Sequence, residues 1–166
     1  MSTLNVTTIQ DSAGAFEHAK LVQIVSTSTG ASSTTTTPIP EDDTIPQNDE
    51  GAELLTLAIT PKHADNKLFI HAMTLQRPST GRDHVIALFQ DSTANALACQ
   101  YAENQAGQED QQVLTHVMDA GTTSSTTFKL RAGADSAATV TFNGTGRGRL
   151  FGGVCSTILT IMEFRA

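Results

Sequence analysis

The sequence predicts an all-β fold, an antiparallel sandwich, jelly roll or barrel, and three observations carry that expectation. Short apolar–polar alternations recur from Leu21 to Phe164, many of them rich in the β-branched residue threonine. The breaks between them hold turn chemistry, as in Ala64-Asp65-Asn66, Pro78-Ser79-Thr80-Gly81, Asp119-Ala120-Gly121 and Gly133-Ala134-Asp135. No window keeps apolar residues at helical spacing for about three turns, so about eight to ten strands and essentially no helix are expected.

Residues 2–19 hold one short alternation, Leu4, Val6 and Thr8, broken from Asp11 to Gly14. Its apolar content is too small to fold alone, so it reads as an arm that adds to a partner, or else as a first strand on the domain's own sheet. Leu21 to Thr29 is a strand, and Ala31 to Thr37 is either an edge strand or a polar linker. Pro38, Pro40 and Pro46 forbid regular structure across 38–48, while Glu41, Asp42, Asp43, Asp49 and Glu50 make the stretch an acidic surface loop. These carboxylates lack the spacing of a calcium-binding helix–loop–helix, and whether they hold Ca²⁺ stays open.

From Glu53 strands follow at short intervals: 53–60, with Leu55, Leu57 and Ile59 on one face, then 67–76, 84–90, 96–101, 112–118, 126–131 and 139–142. Within 67–76, Leu68, Ile70 and Ala72 oppose Phe69, His71, Met73 and Leu75. Asn143 to Gly153 is a glycine-rich bend leading to the last strand, Ser156 to Phe164. There Ile158, Thr160, Met162 and Phe164 share one face, and Thr157, Leu159, Ile161 and Glu163 share the other. A strand apolar on both faces has a cover on each. Ile158, Met162 and Phe164 are expected in the subunit core, with Leu159 and Ile161 against another copy of the chain. A strand sandwiched within one subunit is the alternative.

Composition narrows the function. The chain is long enough for one domain with its own core, built without Trp and mostly from aliphatic residues and Phe. Net charge is −7 with no basic cluster, which argues against a nucleic-acid surface and against docking on anionic lipid. Cys99 and Cys155 lie far apart without metal-ligand spacing, so two independent reduced thiols are expected. No stretch has the apolar length of a membrane span, and no signal peptide is recognised, so synthesis in a cytoplasm is expected.

The search for chemistry finds none, and the expectation is no enzyme, no catalytic or metal-ligating residue and no cofactor. Gly144-Thr145-Gly146-Arg147-Gly148 lacks the following helix whose free amides make a phosphate cradle, so it reads as a bend between strands. His18, His63, His71, His84 and His116 are scattered, and His71 and His116 fall inside strand patterns as core or interface histidines. Asp83-His84 and Asp91-Ser92 have no nucleophile elbow around them. A carbohydrate-binding sandwich would stack sugar on exposed aromatics, for which Tyr101 alone is a thin supply.

Two stretches carry a resemblance. The opening Ser2-Thr-Leu-Asn-Val-Thr-Thr-Ile-Gln-Asp-Ser-Ala-Gly14 resembles a segment of tail-fibre and other virion proteins of tailed bacteriophages, where a strand ending in Thr-Ile-Gln-Asp precedes a glycine-containing turn. The close, Gly152-Gly-Val-Cys-Ser-Thr-Ile-Leu-Thr-Ile-Met-Glu-Phe164, is similar to the terminal strand of their β-sandwich head domains. The resemblance implies a homotrimeric virion-surface protein with an N-terminal attachment segment at 1–19. It implies a jelly-roll head of the tumour-necrosis-factor and C1q type at 20–166. The chain departs from long fibres in having no shaft, so a capsid decoration protein is the alternative to a tail-fibre-type attachment protein.

Several residues are then expected to carry the function. Leu159 and Ile161, extended by Phe69 and Met73, form the trimer interface. Leu4, Val6 and Ile9 anchor residues 2–14 to another virion protein. Loops bearing Arg77, Arg82, Asp83, Asn104 and Gln105 are candidate contacts for a host glycan or protein, since ligand contacts gather on loops held by a rigid sheet.

Overall fold

The computed structural model describes residues 10–11, 14–15, 20–103, 108–146 and 148–166. Eight principal strands follow in chain order: β1 Leu21–Thr29, β2 Ala52–Ile59, β3 Lys67–Pro78, β4 His84–Gln90, β5 Ala98–Ala102, β6 Asp110–Asp119, β7 Thr126–Ala134 and β8 Thr157–Phe164. They pair antiparallel as nested couples, β1 with β8, β2 with β7, β3 with β6 and β4 with β5. Rolling these couples places them alternately in two sheets, β1-β8-β3-β6 and β2-β7-β4-β5. The fold is therefore an antiparallel β-sandwich of jelly-roll type.

Short strands complete the first sheet. Val140–Phe142 pairs with Gln76–Pro78 of β3, beyond the point where β8 stops pairing, and Ser33–Thr35 lies outside it. The threonine-rich stretch is thus an edge strand over 33–35. Among the described residues the sole helical turn is Phe151–Gly153.

The interior is filled by alternate residues of both sheets. Leu68, Ile70 and Ala72 of β3, Leu114 of β6, and Leu159 and Ile161 of β8 meet Ile59, Ile86, Leu88, Phe128 and Leu130 from the facing sheet. Burying one such side chain contributes about 1.5–3 kcal/mol before chain entropy is set against it.

This packing corrects the parity expected for β8. Leu159 and Ile161 are fully buried in the subunit's own core. Ile158, Met162 and Phe164, expected inside, lie on the outer face and are only half-buried. Alternation along a strand separates two faces but does not say which one the second sheet covers. Glu163 shares the inner face at 0% exposure, because four donors converge on its carboxylate where the sandwich ends.

The proline-broken stretch is more than a surface loop. Ile39 is fully buried against Val85, Ala87 and Phe89 on the outside of β4, making a second small core. The Ile39 amide donates to the Ala134 carbonyl at 2.8 Å, and the Gly51 amide to Pro38 at 2.9 Å, which pins both ends of the loop. Gly51 has φ 62°, and a Cβ there would sit 2.8 Å from the Ala132 carbonyl oxygen, so the position requires glycine. Covered on both sides, β4 reads as an unbroken apolar run rather than an alternation.

Candidate self-association face

The outer face of the β1-β8-β3-β6 sheet can be read row by row from its register. Ser28, Ile158, Met73 and Val113 make one row; Ser26, Thr160, His71 and Thr115 the next; Ile24, Met162, Phe69 and Val117 the third. A fourth row, Leu21, Phe164, Lys67 and Asp119, closes one end. Two largely apolar rows therefore flank a polar one. Ile24, Val113 and Val117 are 52%, 45% and 58% exposed, while Phe69, Met73, Ile158 and Met162 are half-buried.

Among the described residues, charge appears on this face at its ends. Lys67 pairs with Asp119 at one end, and Arg77 Nε lies 3.1 Å from Glu109 Oε1 at the other. In the polar row the Ser26 and Thr160 hydroxyls share a hydrogen bond of 2.8 Å. Of the four residues expected at an interface, the fold places Phe69 and Met73 here and withdraws Leu159 and Ile161. Sequence reasoning missed Ile24, Val113, Val117, Ile158 and Met162. Their signal was apolar residues of the same parity in neighbouring strands, legible only once the strands are known to be neighbours.

The loop candidates do not converge on one site. Arg77 lines an open groove of about 530 Å³ with Glu109, Thr145, Arg149 and Leu150. Asp83 belongs elsewhere: its carboxylate accepts the Tyr101 hydroxyl at 2.6 Å, and its amide donates to Asp135 Oδ1 at 2.9 Å. The hydrogen bond to Asp83 holds the Tyr101 phenol in its protonated form, raising its pKa well above the ordinary tyrosine value. Glu41, Asp83 and Asp135 bring carboxylate oxygens within 4.8 Å of one another at this corner. Arg82 is exposed. Asn104 and Gln105 lie outside the described residues, as do Leu4, Val6 and Ile9. Next to the latter, the backbone of Gln10–Asp11 pairs antiparallel with that of Gly14–Ala15.

The glycine-rich bend is a hairpin, Gly144–Thr145 against Gly148–Arg149, and not a cradle. Asn143, at φ 53°, ties it to the sandwich: its side-chain amide donates to Thr29 O at 3.0 Å and its oxygen accepts from the Thr157 hydroxyl at 3.0 Å. Beyond it Phe151 and Val154 stand 80% and 84% exposed. Both cysteines are free thiols. Among the described residues no helix is long and apolar enough to cross a membrane.

No family model matches the chain, and no curated protein matches it. Among solved structures it is similar to the tumour necrosis factor Eiger from S. frugiperda, at 7% identity over 84% of this chain and 92% of that one, with a TM-score of 0.49. It is also similar to the C-terminal domain of EclA, a sugar-binding protein, at 13% identity over 83% and 87% of the two chains, with a TM-score of 0.36. A structure of infectious bursal disease virus, Gx strain, matches at 14% identity and TM-score 0.38, over 99% of this chain and 44% of the viral one. These likenesses are distant, and no role is carried from them to this chain.

Proposed function

We propose that this chain is a non-enzymatic virion-surface protein, a homotrimeric knob anchored through residues 2–14, of the tail-fibre type that attaches a bacteriophage to its host. The observation that carries the association is the pair of apolar rows around Phe69 and Met162 and around Met73 and Val113, since apolar surface exposed on this scale marks an interaction site. A second copy suits it. Each chain bears a net charge of −7, yet the charges bordering this face are already paired, so like chains meet there without opposing unpaired carboxylates. Three copies close a ring with one repeated contact. The virion assignment is supported by the resemblance of the two ends of the sequence to tailed-phage proteins, and the exposed loop bearing Arg82, beside Arg77 at the end of β3, is the surface offered to a host receptor.

Sedimentation of the wild type and of a Val117→Asp, Met162→Asp variant tests the association. Trimer mass in the wild type and a folded monomer in the variant are expected, because each buried unpaired carboxylate costs several kcal/mol. A monomeric wild type refutes the reading. Imaging of labelled protein on intact particles then distinguishes the tail from the capsid, where a decoration protein would sit.

A further inference from the structure

We infer that assembly through this face is gated by pH at His71, an inference that rests on the self-association proposed above. His71 lies on β3, in the polar row between the two apolar ones, with Phe69 and Met73 two residues away along the strand and Thr160 and Thr115 beside it. It is half-buried in the single chain, and its imidazole makes no hydrogen bond or ion pair with any described residue. A second copy seated on the apolar rows covers the imidazole as well.

The ionisable groups on every neighbouring strand show why charge is not tolerated there. β1 carries none, and the single one on β8, Glu163, points into the sandwich. On β6, Asp110 and His116 take the inward parity, and Asp119 is engaged by Lys67. On β3 itself Lys67 stands four residues from His71, about 13 Å along the strand, and Arg77 six, about 20 Å; both distances exceed the screening length of about 8 Å at physiological salt. The Cys155 thiol lies past Ile158 at the same end as Leu75. Among the described residues of the single chain, no carboxylate on the face is placed to balance an imidazolium.

Histidine is the side chain whose charge state responds to mild acid, and a proton gained at His71 places a positive charge in the middle of the face. Covering the charged form without a partner strips its hydration, whereas the neutral ring is accommodated beside threonine hydroxyls that donate and accept. Assembly is therefore expected at neutral pH and release in acid.

The test is sedimentation velocity over a concentration series at pH 7.5 and pH 5.5, at one ionic strength, with far-UV circular dichroism to confirm the fold. For the wild type the assembly midpoint should rise at least tenfold in acid. His71→Gln, neutral at both values, should assemble equally at both. His71→Lys, charged at both, should stay a folded monomer; should it fail to fold, the wild-type and glutamine proteins still decide. A wild-type oligomer indifferent to pH, or a glutamine variant as pH-sensitive as the wild type, overturns the gate while leaving the association standing. A wild type monomeric at pH 7.5 overturns the association and the gate with it.

Discussion

Replacing Glu163 with glutamine should turn a pH-dependent part of the protein's stability into a pH-independent loss. The carboxylate is fully buried, and its two oxygens divide the donors between them. Oε1 accepts from the amide of Lys62 at 2.8 Å, the amide of His63 at 3.4 Å and Asn66 Nδ2 at 2.5 Å; Oε2 accepts from Gln23 Nε2 at 2.5 Å. Burial pushes the Glu163 pKa up, but these four hydrogen bonds outweigh it and hold the group below the ordinary glutamate value. Glutamine keeps one oxygen for Lys62, His63 and Asn66, but turns an NH₂ towards the NH₂ of Gln23. Gln23 cannot flip to accept without giving up its bond to the Thr60 carbonyl. One charge-assisted hydrogen bond is lost and three are weakened. At about 1.5–3 kcal/mol for a bond to a charged group, the net loss at pH 7 is about 2–4 kcal/mol.

The sign of the pH dependence follows from the lowered pKa. The carboxylate's contribution is fully present above the unfolded-state value of about 4.3 and is lost as pH falls through the lower folded-state value. The gap between wild type and Glu163→Gln should therefore be full at pH 7 and shrink below about pH 4. Urea unfolding at fixed protein concentration, followed by far-UV circular dichroism since the chain has no Trp, measures it. With a slope near 2 kcal/mol per molar urea, the midpoint at pH 7 should fall by about 1–2 M. Equal midpoints at pH 7, or a gap that stays constant into acid, would falsify this account of the carboxylate.

Three other changes separate the interior from the surfaces. Leu159→Ala should cost about 2–5 kcal/mol in the same unfolding assay and leave oligomer mass unchanged at temperatures where the variant is folded; a loss of assembly without a loss of stability would return Leu159 to the interface. Gly51→Ala should cost about 1–3 kcal/mol from the positive φ and lower the melting temperature by several degrees, and an unchanged melting temperature would show that the 38–50 loop is not pinned there. Deleting residues 2–14 should leave a folded head that assembles but no longer joins particles, so a truncated chain that fails to fold would place the segment in the core.

The sequence by itself determined the fold class, nearly every strand and the separation of each strand into two faces. These are local properties: alternation has a period of two, and turn residues act on their own backbone. Leu55, Leu57 and Ile59 face inward as their spacing predicts, and the glycine-rich stretch is a connection between strands, as its lack of a following helix implied. Tertiary structure alone decided which face of β8 is the inside. Leu159 with Ile161 and Ile158 with Met162 are equivalent as alternations, and the choice depends on a sheet made from residues 52–134. The same holds for Ile39, drawn from an acidic loop into a second core, and for Glu163, whose buried charge is supported by Gln23, Lys62, His63 and Asn66 from distant parts of the chain. The apolar face likewise exists only because β1, β8, β3 and β6 lie side by side, bringing Ile24, Met162, Phe69 and Val117 into one row across 93 and 138 positions of sequence separation at its widest couplings. Burial is a property of neighbours, and in a jelly roll the neighbours are set by the rolling of nested pairs rather than by adjacency along the chain.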